Sequence, residues 1–230
     1  MNMKKTALPT LCLIILISCS VFAQDKTTQN ALPGPGGGGS SSCSCTDPSS
    51  RCTASITCSS GNAICICSDS GCSSFCASGF AGEFPDGKTL LDRLQTVDET
   101  EIGGVLSKAL GKTVSFKPYK ENFRLDYTIQ PESHWSILEY LSQNGDLKIN
   151  GGDYKVWKKL REIVTSGKAN FCTGNATIKT LVNELSFFAG KKYQIVTGDP
   201  NSKVNIDIKG LTVGGVIDAL QKHYQLFIQQ

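Results

Sequence analysis

The pattern of apolar and polar positions changes character near residue 80, and from there it repeats. Ile102, Val105, Leu106, Ala109 and Leu110 recur at three- and four-residue intervals, which predicts a helix. Asp98 is its expected N-cap, Glu101 closes a capping box three residues later, and Gly111 is its stop. Ile178, Leu181, Val182 and Leu185 make the same stripe further along, capped by Asn175 and extended through Phe188 and Ala189 to Gly190. A strand is expected after each helix, Thr113 to Phe116 and Lys192 to Val196. Strict alternation follows in Leu125-x-Tyr127-x-Ile129 and Val204-x-Ile206-x-Ile208, the period of a half-buried strand. Ser133 and Thr212 then stand at N-cap positions ahead of His134, Ile137, Leu138 and Leu141, and of Val213, Val216, Ile217 and Leu220. A closing strand is expected at Leu147 to Asn150 and at Leu226 to Gln229.

A shift of 79 residues superposes 100 to 151 on 179 to 230 without a gap, so the two patterns are copies of one unit. The β-prone segments "KTLLDRL" (88 to 94) and "KANFCT" (168 to 173) precede them and complete the order β-α-β-β-α-β, with helices over one face of a small sheet. The expected fold class is α+β: two tandem small domains, 84–160 and 166–230, after a disordered or disulfide-rich N-terminal segment. Each unit of about 65 residues is marginal alone, so side-by-side packing is expected. In the first copy Gly151, Gly152 and Asp153 turn the chain into one more strand, Tyr154 to Trp157. The second copy reaches Gln230 without that strand, which leaves an expected open edge at Leu226, Phe227, Ile228 and Gln229. These four are the candidate partner-binding residues, because an unpaired edge can receive an extended segment of another chain.

The segment "NATIKTLVNELSFFAGKKYQIV" leading to "VNIDIKGLTVGGVIDALQKHYQLFI" resembles the short N-terminal domain shared by secretins and signalling TonB-dependent receptors. It is also similar to the C-terminal domain of the anti-sigma regulators that work with such receptors. The likeness covers 168–230 and, more weakly, 84–160. It implies a non-catalytic docking module of the bacterial cell envelope. The sequence departs from that pattern in having no room for a β-barrel or secretin ring, in lacking the last strand of copy two, and in carrying a cysteine-rich segment.

That segment, 43–79, changes the picture most. Cys43, Cys45, Cys52, Cys58, Cys65, Cys67, Cys72 and Cys76 fall among residues too small and polar to offset chain entropy by burial. An even number predicts four disulfides, with about 105 pairings open. The runs on either side of Ser59-Ser60-Gly61-Asn62 predict a hairpin. A soft-metal site built on Cys43-x-Cys45 and Cys65-x-Cys67 is the competing reading, disfavoured by the absence of paired C-x-x-C motifs and of nearby histidines. No metal or cofactor is therefore expected. Cys172 stands apart in "KANFCTGN" and is expected as a buried, unreactive thiol.

The first residues add a cellular address. Lys4 and Lys5 precede an apolar run from Leu8 to Ile17, the form of a secretory leader (1–23) cleaved after Val21-Phe22-Ala23. The alternative is a lipoprotein acylated at Cys19, the only route to a membrane that the sequence offers. A Gly/Ser/Pro-rich linker, 24–42, follows. Export to the periplasm or to the cell surface is expected. Without Lys4 and Lys5 the formal charge falls from +3 to +1, which provides no field for nucleic acid. Lys155, Lys158, Lys159 and Arg161 around Trp157 read as a solvated face. His134 and His223 occupy unrelated positions in the two copies, no Ser-His-Asp arrangement is suggested, and Trp135 and Trp157 read as core, so no catalytic residue is expected. The expected function is docking to an envelope protein. The alternative is a secreted adhesive protein in which the cysteine segment makes the contacts and the repeats are a base.

Overall fold

The computed structural model describes residues 41–47, 52–59, 62–68, 71–77, 85–126, 128–166 and 169–230. The expected leader with Cys19, and the linker up to residue 40, lie outside them. Four strands come first: β1 (Ser41–Asp47), β2 (Cys52–Cys58), β3 (Asn62–Ser68) and β4 (Gly71–Ala77). Then follow α1 (Gly87–Leu94), α2 (Ile102–Leu110), β5 (Val114–Pro118), α3 (His134–Asn144), β6 (Gly145–Ile149), β7 (Gly152–Asp153) and α4 (Tyr154–Thr165). The remainder is β8 (Ala169–Thr177), α5 (Ile178–Ala189), β9 (Gln194–Thr197), β10 (Lys203–Leu211), α6 (Val213–Tyr224) and β11 (Phe227–Gln229). The class is α+β.

The second copy has the expected β-α-β-β-α-β order, from β8 to β11. Its caps follow from local chemistry. Thr177, not Asn175, is the N-cap of α5, its hydroxyl accepting from Thr180 N–H at 3.2 Å, and Gly190 ends the helix in the left-handed region at φ 67°. Thr212 caps α6 by accepting from Gly215 N–H at 3.1 Å.

The first copy departs from that order in three places. Residues 88 to 94 form a helix: Asp86 accepts from Thr89 N–H at 2.7 Å, and Leu90, Leu91 and Leu94 bury one helical face. With no strand there to pair with, Leu125 to Ile129 builds no ladder at its described positions, and Leu125 is buried from an irregular segment. Tyr154 to Trp157 is the first turn of α4 rather than a strand, because Tyr154, Trp157, Leu160, Ile163 and Val164 recur at helical spacing and Asp153 caps Lys155 N–H. Only Gly152 and Asp153 add to the sheet, against Ile149 and Lys148. The expected capping box on α2 is also missing: Glu101 is the N-cap position and no side chain caps it.

The cysteine segment is not a separate head. β3 pairs with β8 (Ile64 with Thr173, Cys65 with Cys172, Ile66 with Phe171), so the main sheet runs β10-β8-β3-β4. β2 pairs with β1 and β3 with β4 and β8, so the expected hairpin ladder between the runs on either side of Ser59-Ser60-Gly61-Asn62 is not formed. Among the described residues three disulfides are present where four are expected: Cys43–Cys65, Cys58–Cys76 and Cys67–Cys72. Cys45 and Cys172 are buried thiols, and Cys52 lies outside these bridges. The two bridges closing separations of 22 and 18 residues each contribute stability on the order of 3 kcal/mol in the chain-entropy account. That contribution matters where Cys45, Ala54, Cys65, Cys67 and Cys172 form the layer interface in place of large aliphatic groups.

Below this sulfur layer lies one undivided apolar core. It runs from Ile64, Ile66 and Phe75 of the cysteine segment through Leu106, Trp135 and Leu138 of copy one to Leu181, Phe187, Phe188 and Val216 of copy two. The expected side-by-side packing has thus gone further, to fusion of both copies and the cysteine segment.

Candidate functional site

Strand alternation decides which of the four expected partner-binding residues are available. Leu226 and Ile228 point into the core at 8% and 7% exposure, whereas Phe227 (53% exposed) and Gln229 face outwards. β11 pairs antiparallel with β9, Ile228 opposite Ile195 and Phe227 opposite Thr197, with a register shift between Phe227 and Ile228. On β9, Val196 is 50% exposed, and it neighbours the residue opposite Phe227. Val196 and Phe227 are two of three large apolar side chains standing in solvent among the described residues, Tyr119 being the third. Sequence reasoning missed Val196, although the alternation in Gln194-Ile195-Val196-Thr197, with Ile195 half-buried, carries the signal.

β9 and β11 make a two-stranded ribbon with no third strand among the described residues. Its counterpart in copy one, β5-β6, gains β7. The ribbon is held from behind by α6. Gln221 Oε1 accepts from Ile228 N–H at 2.8 Å, and Gln221 C=O accepts from Leu226 N–H at 3.1 Å. One backbone donor of β11 is therefore already satisfied, and Phe227 supplies the exposed apolar contact area. At the other end of β9, Ser186 Oγ accepts from Tyr193 N–H at 3.1 Å. Burial, then the Asp218 carboxylate, raise the Tyr193 phenol above its ordinary range and keep it neutral.

Polar groups also converge where the copies meet, but there they are sealed. Lys112 Nζ donates to both carboxylate oxygens of Glu184, at 2.8 and 2.7 Å, with both side chains nearly inaccessible. The ammonium lies 4.6 Å from the Phe187 ring centre, 5.2 Å from Trp157 and 5.9 Å from Phe75, a cage drawn from both copies and from β4. Trp135 Nε1 donates to Phe187 C=O at 2.6 Å and Trp157 Nε1 to Ile149 C=O at 2.8 Å, so both tryptophans are core groups. His134 is stacked on Phe187 at 5.2 Å. Burial, and next the Arg161 and Lys112 charges, push its pKa down to about 3, against a backbone hydrogen bond at Phe187 that acts the other way. His223 lies exposed beside Tyr224, remote from His134 in sequence and packing. Lys155, Lys158 and Lys159 form the solvated side of α4, where Lys158 and the Tyr154 hydroxyl both reach Glu139, at 3.1 and 2.7 Å. The Tyr154 hydrogen bond, followed by that with Lys158, holds the Glu139 carboxyl below its usual range.

Comparison with family models, curated proteins and solved structures finds no match to this chain.

Proposed function

We propose that the protein is a non-catalytic docking module of the bacterial cell envelope, exported to the periplasm or cell surface, that receives an extended segment of an envelope protein beside the β9-β11 ribbon. The observation that carries this reading is the exposure of Val196 and Phe227 on adjacent strands of a ribbon that has only two strands among the described residues. An added strand would bury both side chains and supply backbone partners, which is how strand addition combines affinity with side-chain selectivity. The disulfides fit an exported chain. The pairing of β3 with β8 builds the cysteine segment into the main sheet, which favours the docking reading over the adhesive alternative.

The test is capture of partners from envelope extracts with the full chain and with Phe227→Lys and Val196→Lys variants. Both positions are exposed, so the thermal midpoint should stay near that of the parent. Loss of roughly 1.5–3 kcal/mol of apolar burial weakens binding by about 10- to 150-fold. Capture that is equal for parent and both variants would refute docking at the ribbon.

A further inference from the structure

The stacking of β1 on the β3-β8 pair gathers sulfur in a way that the docking role does not use. The Sγ atoms of Cys43, Cys65 and Cys172 lie within 4.8 Å of one another. Cys43 and Cys65 are bonded, while Cys172 sits directly across from Cys65 in the β3-β8 register and remains a thiol. A thiol is thus held against a disulfide, sealed from outside reagents because Cys65 and Cys172 are both buried. Cys43 differs. It is half-buried and lines a surface depression of about 450 Å³ with Ser42, Ser44, Ser55, Ile56 and Thr57. We propose that Cys172, Cys65 and Cys43 form a thiol–disulfide exchange centre that delivers Cys43 as a reactive thiol to a small polar disulfide seated in this hydroxyl-lined depression.

The internal exchange needs no oxidant, and in the second step the small disulfide is the oxidant. The Cys172 thiolate attacks Cys65 Sγ, the Cys65–Cys172 bond forms, and the Cys43–Cys65 bond breaks. The electron pair leaves on Cys43 Sγ, which takes up the proton Cys172 released. Cys43 gives up that proton and attacks as the thiolate on one sulfur of the small disulfide; a mixed disulfide forms, the S–S bond of the small molecule breaks, and the departing half takes the proton and leaves as a thiol. Cys172 is the nucleophile because it is the thiol that faces Cys65; the Cys45 side chain lowers its pKa, against burial and the Asp207 carboxylate paired with it on β10, which raise it. Cys45 is thereby a positioning residue. Its Sγ is also 2.8 Å from Cys67, which fixes it in the sulfur layer. The carbonyl of Ser44, 3.1 Å from Cys172 Sγ, anchors the thiol beside β1.

The test uses the oxidised full chain incubated with glutathione disulfide, quenched in acid, digested with pepsin and mapped by mass spectrometry. The expected result is a glutathione adduct on Cys43 in the same molecules that carry a Cys65–Cys172 bridge, formed faster as pH rises. Cys172→Ala should lose the Cys43 adduct entirely while keeping Cys43–Cys65, and Cys45→Ser should slow the adduct without moving it. Because the bridge mapping is done on the parent protein, it does not depend on any variant folding. An adduct on Cys172 itself, a Cys43 adduct that survives Cys172→Ala, or a parent protein that shows only Cys43–Cys65 and no adduct would each overturn the proposal.

Discussion

Replacing Glu184 by Gln tests the fusion of the two copies at its most sensitive point. The substitution keeps shape and one hydrogen-bond acceptor for Lys112 but removes the carboxylate that its ammonium, almost fully buried, contacts through both oxygens. Stranding a buried charge in this way costs about 3–5 kcal/mol. The amide oxygen that remains as an acceptor offsets about 1 kcal/mol of that, while the three rings around Lys112 are the same in parent and variant and do not enter the difference. A net loss of about 2–4 kcal/mol is therefore expected, a large share of the roughly 5–15 kcal/mol that holds a domain folded. With a urea m-value of about 2 kcal/mol/M the midpoint falls by about 1–2 M. The readout is intrinsic fluorescence of Trp135 and Trp157, both at the seam, alongside circular dichroism of the whole chain. The two signals should coincide in one transition, since one core spans both copies and the cysteine segment. The double variant Lys112→Met/Glu184→Leu removes both charges and should return to within about 1 kcal/mol of the parent, or exceed it. A Glu184→Gln midpoint unchanged within error, or a double variant as unstable as the single, would refute this account of the seam.

Two further outcomes follow from individual residues. His134 titrates near 6.5 when unfolded and near 3 in the core, so the unfolded chain binds its proton first and stability falls as pH drops from about 6.5 towards 3, by up to about 1.4 kcal/mol per pH unit; His134→Phe should flatten that slope between pH 6.5 and 5, measured by urea midpoints, and a slope unchanged in the variant contradicts the assignment. Gly190→Ala places a Cβ 2.8 Å from Ser133 Cβ at a φ of 67°, so a loss of more than about 1 kcal/mol is expected in thermal melts, and a melting point equal to the parent's would show that the seam between α3 and α5 is looser than drawn.

Copy two was legible because its periods are local. The stripe of α5, the alternation of β10 and the Thr212 cap each announce their element without reference to distant residues. Copy one departs from the expected elements where its local chemistry differs from that of copy two. Leu90, Leu91 and Leu94 after Asp86 already spell a capped helix, and the spacing Tyr154, Trp157, Leu160, Ile163 was visible only by reading past Trp157. The pairing of β3 with β8 was not legible, since it joins Ile64 to Thr173 across more than a hundred residues and no local pattern encodes which strand completes which sheet. At the ribbon, two of the four expected partner-binding side chains, Leu226 and Ile228, serve the core, as the alternation around Ile228 requires.

The duplication therefore builds something other than two beads. In copy two the strand β10 needs β8, and β8 in turn has its other edge covered by β3 of the cysteine segment. In copy one the place of the first strand is taken by α1, so the described residues around Leu125 join no ladder and are held by the burial of Leu125 and by local hydrogen bonds such as Phe123 N–H to Glu99 Oε2 at 2.6 Å. The sheet that copy one does not complete is thus completed for copy two by residues that precede both. Those residues are rich in cysteine because two thin layers, meeting over Ala54, Cys65, Cys67 and Cys172, bury too little apolar surface to hold together otherwise. This arrangement leaves the β9-β11 ribbon at the rim, tied to the body through Leu226, Ile228 and the Gln221 side chain, while the seam at Lys112 and Glu184 is locked. On the proposed docking, a partner strand would add at this rim and leave the shared core undisturbed.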